Sequence, residues 1–125
     1  MDEICAQREN TAKLAGAILP PALSVTSDFD DAMTTQALLL VVPMQTLRSW
    51  ALDRAEGLRG KILVACCKGI EKTTNMGASA VLAETDTNCQ TALLTGSNFA
   101  HDIAAGLPTA LTLACADDAL GVRLQ

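Results

Sequence analysis

Three short apolar runs, separated by segments that are compatible with helices, constrain the fold of this chain most. The runs are Ala37–Val42, Lys61–Cys66 and Ala92–Thr95. Continuous apolar runs of this length are typical of strands that are buried on both faces, as in parallel sheets. Helices between such strands supply the crossovers that parallel pairing requires. The pattern therefore predicts an α/β fold with a parallel sheet.

Capping residues, glycines and prolines predict the remaining elements. We expect two further strands, over Leu23–Ser27 and, as the fourth of the sheet, over Thr109–Cys115. The first three helices are expected over Asp2–Leu14, over Asp28–Gln36 with Ser27 or Asp28 as its cap, and from Pro43 to an end at Gly57 and Gly60. Further helices are expected around Ala78–Glu84, over Phe99–Ala105, and from Asp117 or Asp118 onward.

Charge and hydrophobicity exclude several classes of partner. Half of the 125 residues are hydrophobic and the formal net charge is −5, which favours a folded domain and gives no electrostatic reason to bind nucleic acid or an anionic membrane. The longest apolar stretch, Ala37–Met44, is too short to cross a bilayer. Asp2 and Glu3 stand where a signal peptide would be basic. We expect a cytoplasmic domain with no membrane or nucleic-acid partner.

The five cysteines show no metal-ligand spacing. No two of them form a CxxC pair, and His101 is the single histidine, so we predict no metal site. We interpret the cysteines as free thiols in a reducing compartment. Cys66 and Cys67 are neighbours in an apolar strand, which should direct their side chains to opposite faces of the sheet.

Three segments that follow predicted strands are candidates for ligand binding, because ligands of open α/β sheets bind beyond the carboxyl ends of the strands. They are Val42–Gln45, Cys67–Glu71 and Thr95–Ala100. Lys68 could meet a phosphate or polarise an alcohol oxygen, and Gly69 permits a positive φ or a close backbone approach at that turn. The alternative is an ordinary surface lysine. Gly96 to Asn98 enter a helix, where amides bind anions and Asn98 caps the helix or donates to a ligand. The alternative is a capped helix without a ligand.

Two further polar groups receive a structural interpretation. Glu71 follows Lys68 by three residues, and we interpret it as a charge at the start of a helix rather than a catalytic base. His101 and Asp102 are adjacent on a predicted helix, so their side chains should point in different directions. A Gly-x-Ser-x-Gly motif is absent, so a hydrolase nucleophile is not expected.

Six short motifs in one order carry a resemblance to a known family. They are Asn10–Pro20, which is similar to N-x-x-Y-L-P-G-x-x-L-P with Lys13 and Ala15 in place of Tyr and Pro; Thr26–Asp28 (T-S-D); Val41–Gln45 (V-P-x-Q); Cys67–Glu71 (K-G-I-E); Leu94–Ala104, which is similar to L-S-G-P-S-F-A-x-E-V-A; and Gly106–Ala110 (G-L-P-T-A). Together they resemble the NAD(P)-dependent glycerol-3-phosphate dehydrogenases over almost the whole chain.

The resemblance implies an activity and a set of site residues. The family passes hydride between glycerol 3-phosphate and NAD or NADP, making or consuming dihydroxyacetone phosphate, and it supplies phospholipid precursors. By the matching motifs, the implied substrate-binding residues are Lys68, Gly96 and Asn98, and the implied cofactor-binding residues are Pro43, Gln45, Thr46, Lys68 and Ala100.

The family's glycine-rich loop, G-x-G-x-x-G, does not occur in this sequence. We therefore expect residues 1–125 to form an incomplete Rossmann-like, doubly wound parallel sheet that lacks the first βαβ unit. The helical substrate domain would be absent, and the general base would lie beyond Gln125. NAD and NADP stay equally open, because the residue that selects between them belongs to the missing unit.

Loss of the central strand would leave Ala37–Val42 as an exposed apolar edge and separate Leu23–Ser27 from the sheet. Such an edge favours aggregation or a homo-oligomer, and it predicts marginal stability for the monomer. Two other functions stay open: a non-catalytic truncated module for binding or interaction, and another oxidoreductase of the β-hydroxyacid dehydrogenase type.

Overall fold

The computed structural model describes residues 2–85 and 88–125. The strands are β1 Glu9–Asn10, β2 Ala15–Ile18, β3 Ala37–Leu40, β4 Ile62–Ala65, β5 Gln90–Thr95 and β6 Thr112–Cys115. The helices are α1 Asp2–Gln7, α2 Thr11–Leu14, α3 Phe29–Met33, α4 Leu47–Leu52, α5 Ala55–Leu58, α6 Ala78–Thr85, α7 Ala100–Ala104 and α8 Asp118–Leu124, with a 3₁₀ turn over Met44–Thr46.

The main sheet has the strand order β3-β4-β5-β6. β3 and β5 both run parallel to β4, as the apolar runs predicted, with Leu38 beside Leu63 and Val64 beside Ala92. β6 is antiparallel to β5, so the prediction of a wholly parallel sheet is wrong for this strand. The five-residue α7 rises about 7.5 Å, whereas the six-residue β5 spans about 20 Å. The helix by itself is too short to return the chain to the amino edge, and β6 starts at the carboxyl edge.

The core lies on both faces of the sheet, and β4 contributes to each. All four of its residues are at most 4% exposed, which confirms a strand that is buried on both sides. Helices α4, α5 and α6 cover one face, where Leu47, Leu63 and Leu82 are buried. Helix α8 covers the other face through Leu120. Cys66 packs on the α8 side and Cys67 on the opposite side, as their adjacency predicted.

Strand β3 is an edge of the sheet, as predicted. Leu40 faces the core and is 4% exposed, whereas Leu39 and Val41 are 64% and 77% exposed. The cluster beneath α8 includes no β3 residue within the part of the chain that the structure describes. One apolar side of this edge strand therefore faces solvent.

The N-terminal segment differs most from the prediction. In place of one helix over Asp2–Leu14, α1 ends at Gln7, and the next residue, Arg8, has a φ of +56° that is incompatible with the helix. β1 and β2 then form a two-stranded antiparallel hairpin. The Arg8 guanidinium donates to the carbonyl oxygens of Pro20 and Leu23. The predicted strand Leu23–Ser27 is irregular: it pairs with no strand in residues 2–85 and 88–125, and its first carbonyl oxygen accepts from Arg8.

The other helices largely follow the sequence pattern. Asp28 caps α3 by accepting from the backbone of Asp30 at 2.9 Å, and Asp117 caps α8. The helix predicted after Pro43 is divided into the 3₁₀ turn, α4 and α5. Gly57 lies inside α5 rather than after it, so its predicted role as a helix end is wrong. Helices α6, α7 and α8 are confirmed at the predicted places.

In residues 2–85 and 88–125, no helix has the length and apolar character that would be needed to cross a bilayer. The same residues contain no group of three or more His, Cys, Asp or Glu side chains arranged to hold a metal ion.

Candidate functional site

The segments that follow β3, β4 and β5 meet at one edge of the sheet, because these strands are parallel. A direct contact joins the first two: the Gln45 Nε2 donates to the carbonyl oxygen of Ile70 at 2.8 Å. A cleft of about 350 Å³ lies between the second and third segments, with Lys68, Gly69 and Thr95 in its lining. The edge thus collects the motifs that the sequence singled out.

Lys68 stands at the mouth of this cleft. Its side chain is exposed, and it makes no hydrogen bond or ion pair with any residue that the structure describes. Gly69 has a φ of +90°, so of the two uses that the sequence left open for this glycine the structure shows the positive φ. The ammonium is therefore free to meet an anionic or hydroxyl group of a ligand.

Two predicted cofactor-binding residues, Gln45 and Thr46, form hydrogen bonds within the edge itself. The Gln45 amide donates to Ile70, and its Oε1 accepts from the backbone amide of Lys72 at 3.1 Å. The Thr46 hydroxyl donates to the carbonyl oxygen of Pro43 at 2.9 Å. These contacts brace the turn after β3 against the loop after β4.

The environment of Glu71 shows that its interpretation as a charge at the start of a helix is wrong. Glu71 is 5% exposed and lies seven residues before α6, so it is neither a surface charge nor a helix start. The Arg48 guanidinium donates to it through Nε and Nη2, both at 2.9 Å, and the Thr74 hydroxyl donates to the same carboxylate. Arg48 also donates to Glu84 at 2.6 Å. The buried carboxylate is therefore fully paired.

These contacts also determine protonation. Hydrogen bonds from Arg48, and then from Thr74, hold the pKa of the Glu71 carboxyl below its ordinary value of 4.5. The hydrogen bonds to Glu71 and Glu84 raise the pKa of Arg48. Both groups keep their charge at neutral pH. Sequence reasoning missed Arg48, and the available signal was weak: an arginine three residues after the V-P-x-Q motif and an acidic residue within K-G-I-E.

Gly96 has a steric role at the carboxyl end of β5. A Cβ added there would lie 2.8 Å from the carbonyl oxygen of Ala110 and 3.0 Å from both Asn98 Oδ1 and Leu111 Cδ2. Those distances are shorter than van der Waals contact. The absence of a side chain at Gly96 therefore lets the segment before β6 approach β5 closely.

Asn98 carries an amide group without a partner. Its Nδ2 is buried and makes no hydrogen bond within the described chain, although a buried donor is ordinarily satisfied. It does not cap α7: the N-cap is Phe99, with no side-chain cap, so the predicted capping role is wrong. Asn98 lines a second cleft of about 280 Å³ together with Ser97, Asp102 and Thr109.

Helix α7 presents Ala100 at its first turn, and Ala100 is exposed. His101 and Asp102 contact each other at 2.9 Å between Nε2 and Oδ1, so the expectation that they diverge is wrong. The His101 ring stacks on Phe99 at 5.8 Å, which turns it toward the helix N-terminus. The His101 side chain is 74% exposed, in agreement with the predicted surface position.

Comparison with known proteins begins with the family model described as the N-terminus of NAD-dependent glycerol-3-phosphate dehydrogenase, which matches residues 1–121. Glycerol-3-phosphate dehydrogenase (NAD(P)+) of Ruegeria sp. is 53% identical over 124 residues, covering 99% of this chain and 39% of the relative. The enzyme of Cereibacter sphaeroides is 46% identical over 118 residues, covering 94% and 38%. The chain thus spans about two fifths of the length of these curated relatives.

Solved structures show the same fold. The glycerol-3-phosphate dehydrogenase of Coxiella burnetii matches with a TM-score of 0.89 at 23% identity, over 98% of this chain and 38% of that one. The Plasmodium falciparum enzyme matches with a TM-score of 0.85 at 25% identity, over 99% and 36%. With the family model spanning nearly all of the sequence, the chain belongs to the NAD-dependent glycerol-3-phosphate dehydrogenase family and corresponds to its N-terminal region.

Proposed function

We propose that this chain supplies part of the NAD(P)-binding domain of a glycerol-3-phosphate dehydrogenase, which interconverts sn-glycerol 3-phosphate and dihydroxyacetone phosphate. One observation carries the proposal: the loop of Lys68 and the turn of Gly96 to Asn98 lie side by side at the carboxyl edge of the sheet, each next to a cleft. Ligands of open α/β sheets bind at this edge.

The free polar atoms at the edge fit a phosphorylated polyol. The Lys68 ammonium has no partner among the described residues, and it can donate to a phosphate or alcohol oxygen. The Asn98 Nδ2 is buried without an acceptor, and a ligand oxygen would satisfy it. In the proposal these two groups hold and orient the substrate. Gly96 belongs to the same substrate-binding turn as Asn98.

The proposed cofactor contacts border the same edge. Pro43, Gln45 and Thr46 lie after β3, and Ala100 begins α7 after β5. Bound NAD or NADP would supply the group that accepts or donates hydride. Lys68 would keep the reacting carbon oriented by donating from its Nζ to the oxygen on that carbon, which also favours a developing negative charge there.

Three further parts of the proposal do not depend on these contacts: the general base, the location of the protein and its oligomeric state. We expect the general base from a segment that follows Gln125 in a longer chain. A cytoplasmic location is supported by Cys5, Cys66, Cys67 and Cys115, which form no disulfide. Exposed Leu39 on the edge strand β3 and exposed Val41 directly after it support pairing between two copies of the chain. Replacement of Val41 by lysine should then shift the oligomeric state in sedimentation toward the monomer.

A chimera tests the activity directly. The matching segment of the Ruegeria enzyme, to which this chain is 53% identical over 124 residues, is replaced by this chain, and reduction of NAD and NADP is followed with glycerol 3-phosphate. We expect turnover. Lys68→Ala should lower kcat/KM by roughly a hundredfold or more, whereas Lys72→Ala, a matched lysine of the same loop, should leave it nearly unchanged.

The alternatives are outcomes of the same experiment. A chimera that folds and binds neither cofactor nor substrate would support a non-catalytic module and contradict the proposal. Oxidation of a sugar acid without oxidation of glycerol 3-phosphate would instead identify another oxidoreductase of the β-hydroxyacid dehydrogenase type. Equal losses in Lys68→Ala and Lys72→Ala would refute the role of Lys68.

A further inference from the structure

The loop from Lys68 to Lys72 is held by a side chain from the turn after β3. The Gln45 amide donates to the Ile70 carbonyl oxygen at 2.8 Å and accepts from the Lys72 backbone at 3.1 Å. One amide group thus satisfies a backbone acceptor and a backbone donor two residues apart. It fixes the end of the loop in the way that a neighbouring strand would.

A second side chain from the same region holds the loop through Glu71. The Nε and Nη2 atoms of Arg48 bind the carboxylate as a planar fork, both at 2.9 Å. The remaining Nη1 donates to Glu84 on α6 at 2.6 Å. Because Arg48 lies on α4, this network ties the loop to two helices that pack against the sheet.

Lys68 itself lacks such contacts. Its ammonium has no partner among the described residues, and the neighbouring Gly69 adopts a φ of +90°. The loop is fixed on one side by β4, where the Cys66 amide donates to the Leu40 carbonyl oxygen at 3.0 Å. On the other side it is fixed by the contacts of residues 70–72. The place of the ammonium therefore depends on how those contacts hold the backbone.

We infer that Gln45 and Arg48 are positioning residues, which set the place of the Lys68 ammonium at the carboxyl-edge cleft. In this role they act on Lys68 through the backbone of residues 70–72, separately from the cofactor contact proposed for Gln45. The inference rests on the proposed function, because it takes the group bound by Lys68 to be an anionic substrate such as glycerol 3-phosphate. The inference also gives a role to Arg48 and Glu71, for which the family resemblance implied no contact with substrate or cofactor.

The test uses the full chain labelled with ¹⁵N. Gln45→Ala removes both loop hydrogen bonds from an exposed side chain, and Arg48→Lys keeps the charge but not the fork. Arg59→Lys is the matched control, because Arg59 is exposed and lies before the amino end of β4, at the opposite edge of the sheet. For each protein, thermal melting, hydrogen exchange of the Lys72 amide, ¹⁵N relaxation at Lys68 and shift changes on adding glycerol 3-phosphate are measured.

We expect Gln45→Ala to melt close to the wild type and to accelerate exchange of the Lys72 amide roughly two- to tenfold, the effect of one lost hydrogen bond. Relaxation at Lys68 should report a more mobile backbone in Gln45→Ala and Arg48→Lys, with a weaker response to glycerol 3-phosphate. Arg59→Lys should match the wild type. A role in stability alone would lower the melting temperature without these local changes.

Unchanged exchange and relaxation in Gln45→Ala overturn the inference, even where Arg48→Lys fails to fold. If the wild type shows no response to glycerol 3-phosphate, the substrate contacts proposed for Lys68 and Asn98 are contradicted for this chain. The exchange and relaxation data then still decide the positioning role, since neither requires a ligand. A wild-type response that both variants retain in full overturns the inference and leaves the proposed function standing.

Discussion

Replacement of Gly96 by alanine perturbs the closest approach in the candidate site. The new Cβ would lie 2.8 Å from the Ala110 carbonyl oxygen and 3.0 Å from Asn98 Oδ1 and Leu111 Cδ2. The Leu111 methyl can rotate away, but the Ala110 oxygen belongs to the backbone. Because the φ of Gly96 is not positive, the cost arises from this overlap and not from backbone strain. Overpacking of this kind destabilises by about 1–3 kcal/mol.

Thermal and urea unfolding of the chain measure this cost. For a domain of this size, a loss of that magnitude lowers the melting temperature by roughly 3–15 °C. Gly77→Ala is the matched control, since nothing lies within 4 Å of a Cβ at Gly77. It should change stability by less than about 1 kcal/mol. Equal stability of the two variants would refute the close approach of the segment before β6, and with it the steric role of Gly96.

Three further outcomes are expected from the same structure. Because the folded-state pKa of Glu71 is lowered, its contribution to stability is present above the ordinary value of 4.5 and is lost as pH falls below it; urea unfolding against pH should show a smaller acid loss in Glu71→Gln. Leu63→Ala, at a site 1% exposed, should cost about 2–5 kcal/mol in urea unfolding, whereas Leu39→Ala, at a site 64% exposed, should cost well under half as much. Burial raises the pKa of the Cys66 thiol, so a thiol reagent followed by mass spectrometry should label exposed Cys5 first; faster labelling of Cys66 would contradict its burial.

The strands of the sheet centre could be predicted because their signal is local. Each apolar run predicted a strand, and the run of β4 is buried on both faces, with all four residues at most 4% exposed. The same reasoning failed for Leu23–Ser27, which has the composition of a strand but no neighbouring strand to pair with. It also failed for the direction of β6. The direction of a strand depends on the edge of the sheet at which the chain enters it. After the short helix α7 the chain enters β6 at the carboxyl edge.

The candidate site was also only partly predictable from the sequence. Lys68, Gly96 and Asn98 were selected by their places after predicted strands, and the structure brings their segments to one edge. Their contacts with substrate, like the cofactor contacts of the residues after β3, stay predictions. The partner of Glu71 was not predictable, because Arg48 lies 23 residues earlier in the chain. No spacing rule relates two residues on different elements.

The sequence by itself determined the alternation of elements and the two-sided burial of β4, and it allowed the positive φ of Gly69, since periodicity and glycine act within a few residues of the chain. Tertiary structure alone decided that Glu71 is buried and paired, that Gly96 admits the segment before β6, and that the Asn98 amide is buried without a partner. These features depend on which distant groups meet when helices pack on a sheet. The hydrogen bonds and close contacts at these positions arise from tertiary packing and not from the local sequence pattern.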